Sequence, residues 1–327
     1  MINMMSLAAN SHLNRNVSTG PGSGSSVAVI VATYNRRRDL EKCLDALSVQ
    51  TTPPDAIYII DNDSTDDTAE KIQPRLTAQV KYFRMSANLG SAGGFRKGME
   101  LAFNDGYEWL WITDNDSAPS RNSLERLMNV ALENPEVMAL APTKLRESDG
   151  AILKGDMIWD HSAGTARSPS DKEYRECPLI EVDWVPNTGM LISRKAVLTV
   201  GHLRADLFAF GEDTEYCLRI RRHSKILLVT NSVVVHPEMG TGWPVPISAL
   251  KKLYYLKRNE VYLSLRGLQL PSSSLVGVVY MWLRVSLNIV RRQDHPISRL
   301  FVLSLATWHG VTGRLGQAPA LLDKWLP

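Results

Sequence analysis

Val27-Ala28-Val29-Ile30-Val31-Ala32-Thr33-Tyr34-Asn35-Arg36 is the stretch on which the fold turns: six apolar residues in a row, most of them β-branched, end at a polar turn. A continuous apolar run of this length reads as a strand buried on both faces, the habit of strands in mostly parallel, helix-covered sheets. Outward from it the pattern recurs. Asp39 to Val49 carries Leu40, Cys43, Leu44 and Leu47 at helical spacing, and Pro53-Pro54 bars its continuation. Ala56 to Ile60 reads as a second strand ending in Asp61-Asn62-Asp63-Ser64, a helix follows from Asp66, and a third strand lies near Val80 to Arg84. A helix near Gly94 to Asn104 and a strand over Trp109 to Thr113 complete the alternation. Strands alternating with helices predict an α/β, Rossmann-like fold: a mostly parallel sheet flanked by helices.

Ligands of such sheets bind beyond the carboxyl ends of the strands. The loops Thr33 to Arg36, Asp61 to Ser64, Asn88 to Gly94 and Asp114 to Asp116 each follow a strand, so they are expected on one rim. In Asp114-Asn115-Asp116 two carboxylates one residue apart end an apolar strand; hard oxygen ligands so placed can reach one divalent cation, although a solvated turn also fits. Further on come Val182-Asp183-Trp184-Val185-Pro186-Asn187, then Phe208 to Tyr216 containing Glu212-Asp213, and a last strand, Ile226 to Val229 with Val233 to Val235, that delivers His236. Past Pro237 the chain turns basic, aromatic and helical. The expected division is a disordered tail over 1–26, a catalytic-type domain over 27–238 and a helical region over 239–327.

The 327 residues suffice for one large domain and a smaller appendage, and a formal charge of +3 without any zinc-finger or RNA-binding signature gives no reason to expect nucleic acid. Cys43, Cys177 and Cys217 are far apart and form no C-x-x-C pair, so neither a disulfide framework nor a cysteine zinc site is indicated, and a reducing cytoplasm fits best. The Gly/Ser-rich start lacks the basic and apolar segments of a secretory signal. Leu275 to Val290, interrupted by Arg284, is shorter than the roughly 20 residues a spanning helix needs.

Taken in order, Val29 to Arg36, Asp61 to Ser64, Asn88-Leu89-Gly90-Ser91-Ala92-Gly93-Gly94, Asp114 to Asp116, Glu212-Asp213 and His236 resemble the motifs of inverting family 2 glycosyltransferases, which have the nucleotide-sugar-binding GT-A fold. Within that family, Asn88 to Phe95, Tyr254-Tyr255-Leu256-Lys257-Arg258-Asn259 and the basic arm at Arg291-Arg292 are most similar to bacterial galactofuranosyltransferases of the type that initiates mycobacterial arabinogalactan. Rhamnosyltransferases that use dTDP-rhamnose share much of the pattern.

The resemblance implies a role for each motif. Thr33, Arg36, Asp61 and Asn62 would hold the nucleoside of a UDP-sugar, Asn88 and Gly93 would line its ribose and sugar, and Asp114 would lie beside them. Asp116 and His236, with Asp114 nearby, would carry Mn²⁺ or Mg²⁺, and Asn115 departs from the aspartate frequent at that position. Asp213 would be the general base; Glu212, Trp184 and Asn187 would meet the acceptor. Read without the resemblance, Glu212-Asp213 also suits a helix start, Trp184 a core position, and Arg36-Arg37-Arg38 a solvated basic patch. The region from Lys251-Lys252 through Arg291-Arg292 and Trp308 suits an anionic membrane surface, a packing domain or a contact in a homo-oligomer. Expected partners are therefore a nucleotide-sugar donor and a glycan acceptor, lipid-linked, met peripherally on the inner face of the cell membrane. A non-catalytic sugar-nucleotide or glycan-binding protein, or a nucleotidyltransferase, is the alternative of another class.

Overall fold

The computed structural model describes residues 25–160, 165–237, 245–266 and 274–324. Most of the expected tail, residues 1–24, lies outside the described residues. The chain runs β1 (Val27–Thr33), α1 (Arg37–Ser48), β2 (Ala56–Asp61), α2 (Thr68–Ile72), β3 (Val80–Arg84), α3 (Gly90–Asn104), β4 (Trp109–Asp114), β5 (Ala118–Pro119) and α4 (Ser123–Glu133). It continues with β6 (Ala139–Arg146), β7 (Ile158–Asp160), β8 (Thr165–Arg167), α5 (Asp171–Glu176), β9 (Leu179–Val182), β10 (Met190–Ser193), α6 (Arg194–Val200), α7 (Glu212–Arg221) and β11 (Ile226–His236). Three helices follow: α8 (Leu250–Leu265), α9 (Leu275–Arg292) and α10 (Pro296–Thr312).

The main sheet has the order β3-β2-β1-β4-β10-β6-β11-β5, with β9 also paired to β11. Its first half, β3-β2-β1-β4, is wholly parallel, as the alternation predicts. The second half is mixed. β10 runs antiparallel to both β4 and β6, filling the gap between them from far along the chain, whereas β11 is again parallel to β6. Apolar runs show that a segment is buried on both faces; they carry no sign of its direction. The last strand is one element with a register shift between Val229 and Val233, so the polar residues between its two apolar halves form a bulge rather than a break.

Burial on both faces of β1 is literal. Ala28 and Ile30 pack with Phe95 and Met99 of α3, while Val29 and Val31 pack with Leu40, Leu44 and Leu47 of α1. At roughly 1.5–3 kcal/mol for each fully buried aliphatic side chain, these two layers are the main stabilising term. α3 lies so close to β1 that a Cβ on Gly98 would sit 2.3 Å from Ile30 Cγ2. Between the layers, near the cleft, Lys144 and Asp156 form a fully buried ion pair that Tyr174 completes with a 2.9 Å hydrogen bond.

α8 and α10 pack on each other, with Leu253, Tyr254, Val302 and Ala306 in a core that also takes in Phe208 and Ala209 from the loop before α7. No helix among the described residues is long and apolar enough to cross a membrane.

Candidate active site

Because β1, β2, β4, β6 and β11 all point the same way, Thr33, Asp61, Asp114 and His236 end strands on one rim. Thr33 lies opposite Asp61 and Ala32 opposite Asp114, so adjacent strands end nearly level. Beyond them the chain must turn, which is where Asn, Asp and Gly are placed.

Asp114, Asp116 and His236 come together with ligand atoms all within 4.8 Å of one another. His236 Nδ1 lies 2.6 Å from the Pro237 carbonyl and Nε2 lies 3.0 Å from Asp116 Oδ1. Donation from Nδ1–H to that carbonyl fixes the ring. Burial would lower the imidazole, but the Asp116 carboxylate holds a proton on Nε2 and raises it above its ordinary range; loss of that Nε2 proton is what would open its lone pair to a cation. Thr188 donates to Asp114 Oδ2 at 2.6 Å and fixes the second carboxylate. Burial first, and then the charge of Asp116, pushes the Asp114 carboxyl above its ordinary range. Burial would also raise Asp116, but its hydrogen bond to His236 and the charges of His236 and Arg36 outweigh that and hold it low. Two oxygens, one nitrogen and crowded negative charge fit Mn²⁺ or Mg²⁺, which neutralise such a cluster when bound. Asn115 points elsewhere: its Nδ2 donates to Thr33 Oγ1 at 2.9 Å, so its amide ties two strand ends together without adding charge.

On the side of β1 and β2, Asp61 is fully buried, with Ser64 N–H on one carboxylate oxygen and the Tyr82 hydroxyl on the other. Each oxygen keeps a second lone pair, so the turn-forming and ligand-accepting readings coexist. Asn62 donates from Nδ2 to the Gly90 carbonyl at 3.1 Å, and its buried Oδ1 has no partner. A buried acceptor of this kind is left for a water, an ion or a ligand to satisfy. Arg36 stands at the exposed edge, paired with Asp39 at 3.1 Å. Asn88 Oδ1 accepts the Gly90 N–H at 2.8 Å and starts α3, which begins at Gly90 rather than Gly94; the glycine-rich stretch is the first helical turn, with Gly93 packed on Leu89.

The acidic pair opens α7. Glu212 is buried, accepts Ser91 Oγ at 2.8 Å on Oε1, and has an unpartnered Oε2. Burial, then the charge of Asp213, pushes the Glu212 carboxyl up to about 8. Asp213 is also raised, by burial, against the lowering effect of hydrogen bonds from Thr214. Thr214 engages only Oδ1, which leaves Oδ2 for an incoming hydroxyl.

The loop ahead of this pair is held in place from outside the sheet. Phe208 and Phe210 have φ of 64° and 62°, a region that non-glycine residues rarely occupy. Asn259 Nδ2 lies 3.0, 2.9 and 2.6 Å from the carbonyls of Leu207, Ala209 and Phe210, and Arg258 donates to the Leu207 carbonyl at 2.7 Å. The Phe208 carbonyl accepts Ala92 N–H at 3.1 Å and would lie 2.0 Å from a Cβ on Gly90. The turn at Gly90 to Ala92, the loop before the acidic pair and α8 are thus one packed unit.

A cleft of about 870 Å³ is lined by Asp114 and His236, by Glu212 and Asp213, by Trp184 and Asn187, and by Ser91, Phe210, Lys252 and Lys257. Asn187 has a buried, unpartnered Oδ1, and Trp184 packs tilted on Trp159 with centroids 6.4 Å apart. Of the residues named from sequence, Thr33, Arg36, Asp61, Asn62, Asn88, Gly93 and Asp116 do not line this cleft, although Asp116 meets His236, which does. Sequence reasoning gave no role to Ser91, Thr188, Arg258 or Asn259. For the last two the only signal was the Tyr254 to Asn259 motif.

A rim of carboxylates and one imidazole over a Rossmann-like sheet, facing an acidic pair across a cleft, is the arrangement of a GT-A-type domain. The chain belongs to glycosyl transferase family 2, whose profile matches residues 28–197. It is 27% identical over 202 residues to galactofuranosyltransferase GlfT1 of Mycobacterium tuberculosis, covering 60% of this chain and 65% of that protein. It is 25% identical over 238 residues to N-acetylglucosaminyl-diphospho-decaprenol L-rhamnosyltransferase of the same species, covering 65% and 77%, and 22% identical over 300 residues to dTDP-rhamnosyl transferase RfbF of Shigella flexneri, covering 89% and 97%. Residues 1–349 of S. aureus TarS in complex with UDP superpose with a TM-score of 0.54 at 14% identity, over 88% of this chain and 82% of that one. GalNAc-T7 with UDP, GalNAc and Mn²⁺ gives 0.56 at 15% identity, over 88% and 55%. These structures bear on the fold alone.

Proposed function

We propose that the protein is a metal-dependent, inverting glycosyltransferase that moves galactofuranose from UDP-galactofuranose to a hydroxyl of a lipid-linked cell-envelope glycan. The observation that carries the reading is the cleft itself, where Asp213 shares one cavity with Asp114 and His236. A base on one side of a sugar carbon and a leaving-group site on the other is what a single in-line displacement requires.

In this mechanism the donor lies over the β1–β2 rim with Asn62 Oδ1 accepting from it, and Trp184 and Asn187 orient the acceptor. Asp213 Oδ2 takes the proton of the acceptor hydroxyl as its oxygen bonds to the anomeric carbon, and the bond from that carbon to the diphosphate oxygen breaks with its electron pair leaving on UDP. Inversion follows from attack opposite the departing group, so an α-linked donor gives a β-linked product. Asp114, Asp116 and His236 would hold Mn²⁺ or Mg²⁺, which supplies Lewis-acid stabilisation of the charge on the departing diphosphate. Glu212, protonated near neutral pH, keeps a second negative charge from competing with Asp213 for the proton.

The second reading, transfer of rhamnose from dTDP-rhamnose, is favoured by the longer spans matched to the two rhamnosyltransferases. Either donor implies a peripheral location on the inner face of the cell membrane, where a soluble donor meets a lipid-linked acceptor, with the basic segment after residue 238 against anionic lipid. The purified protein should be offered both donors with a panel of short lipid-linked acceptors, and product mass and nucleotide release measured. Product with UDP release from UDP-galactofuranose is expected; product only from dTDP-rhamnose replaces the donor. Donor binding without product from either identifies a non-catalytic binding protein.

A further inference from the structure

The helix α9 is apolar on two sides, and among the described residues the fold covers one of them. Val278 and Ile289 are buried, and Trp282 reaches α10 through a hydrogen bond from Nε1 to Ser304 Oγ at 3.3 Å. On the other side Val276, Tyr280, Leu283, Leu287 and Val290 remain 49–79% exposed. At 3.6 residues per turn these five fall within an arc of about 80°, a continuous stripe along all five turns of the helix. Single exposed apolar residues are ordinary; a stripe of this length is a contact surface.

Two occupants match an apolar stripe, and charge separates them. The spacing of four, three, four and three residues is that of a coiled-coil seam, which makes a second copy of this chain the competing occupant. A seam of that kind is flanked here by Arg284 and Arg291 on one side and by Val279 and Ser286 on the other, and α9 contains no carboxylate. Pairing two such helices would bring guanidinium groups to an interface that offers them no acidic partner. Arg284, Arg291 and Arg292 have no ion pair among the described residues, and α10 likewise contains no Asp or Glu. Anionic lipid satisfies both features at once: acyl chains take the apolar stripe, and arginines on its border reach the phosphates.

We infer that α9 lies in the plane of an anionic bilayer with the stripe from Val276 to Val290 inserted, so that the membrane contact is apolar insertion reinforced by arginine rather than charge attraction alone. The inference rests on the proposed lipid-linked acceptor for its purpose, but it concerns a surface outside the cleft and can be tested without sugar transfer. A contact made by charge alone is released by salt, because surface charges are screened within about 3 Å at 1 M. An inserted stripe keeps part of its binding.

The full chain should be sedimented with vesicles of phosphatidylcholine, with and without phosphatidylglycerol, at low salt and at about 1 M salt. Expected are binding to the anionic vesicles that partly survives salt, and a loss of at least about tenfold in Leu283→Asp/Leu287→Asp, which places two charges in the stripe. Arg284→Glu/Arg291→Glu should lose the preference for anionic lipid while keeping the salt-resistant part. Both variants should bind UDP as the unaltered protein does, since no residue of α9 lines the cleft. Unchanged vesicle binding in the double aspartate variant overturns the inference. So does a protein that ignores vesicles and sediments as a dimer which the aspartates split, because the stripe is then an interface between copies. Transfer to a water-soluble acceptor, followed in parallel, reports on the proposed chemistry independently of either result.

Discussion

Asn259→Ala removes the one side chain that spans the loop before the acidic pair. Its amide has two hydrogens for three carbonyls at 3.0, 2.9 and 2.6 Å, and the Leu207 carbonyl keeps Arg258 as a second donor. The variant therefore strips partners from Ala209 and Phe210, at about 1 kcal/mol each or somewhat more where water cannot reach them. That loss, about 2–3 kcal/mol, is comparable to the roughly 1–3 kcal/mol that each positive-φ phenylalanine costs. With the restraint gone, the loop should relax toward ordinary backbone angles and carry Gly211-Glu212-Asp213 with it. A base displaced by about 1 Å loses on the order of 10²-fold in rate, so kcat should fall by about 10–10² with the fold intact. Asn259→Asp, which offers acceptors to carbonyls, should be no better than alanine. The assay is steady-state transfer to a soluble acceptor beside calorimetric UDP binding, which should weaken by less than kcat falls, because the loop meets the turn at Gly90 to Ala92 through the Phe208 carbonyl but carries Asp213 itself. Turnover of Asn259→Ala within about twofold of the unaltered enzyme would refute the claim that this latch positions Asp213.

Asp213→Asn keeps an oxygen for Thr214 but cannot accept a proton, so turnover should drop by about 10²–10⁴ with UDP and metal binding nearly unchanged; near-normal turnover in single-turnover assays removes Asp213 as the base. Chelation should abolish transfer and Mn²⁺ or Mg²⁺ restore it, with Asp116→Ala and His236→Ala weakening metal-assisted UDP binding in titrations; full activity in excess chelator counts against the site. Glu212 is raised from 4.5 to about 8 by burial and by Asp213, so the folded state binds its proton more tightly and stability should decline as pH rises from 4.5 through 8. Glu212→Gln escapes that decline, and denaturation curves should show it matching the unaltered protein at low pH and exceeding it above pH 8; parallel curves at all pH values would mean that Glu212 is not raised.

Much of the rim could be read without coordinates. A strand buried on both faces is written locally, as in Val27 to Ala32, and the polar turn after it is written locally too, so the ends of β1, β2 and β4 carry their own labels. The same holds for the Leu40 to Leu47 periodicity of α1. Element boundaries were less legible where local preference and tertiary packing disagree: Gly90 to Gly94 reads as a loop because glycine weakens helices, yet at Gly90, Gly93 and Gly94 the first turn of α3 packs so closely on Phe208, Leu89 and Asn62 that a Cβ would clash.

Local patterns in the chain were enough for the α/β class, the buried strands and the polar strand ends, because each is set by periodicity or by a short turn motif, and they marked Asp114, Asp116, Asp213 and His236 as candidates. It took the packed chain to bring β10 in antiparallel, to carry Thr188 to Asp114 and His236 to Asp116 from far along the sequence, and to set Arg258 and Asn259 on the loop before Asp213. The same is true of α9: its two sides are equally apolar on paper, and which is covered depends on where α10 packs. Direction, cross-chain contact and exposure belong to pairs of segments rather than to any one of them. A pattern within one segment records what that segment must bury, and its partner is chosen only when the whole chain has packed.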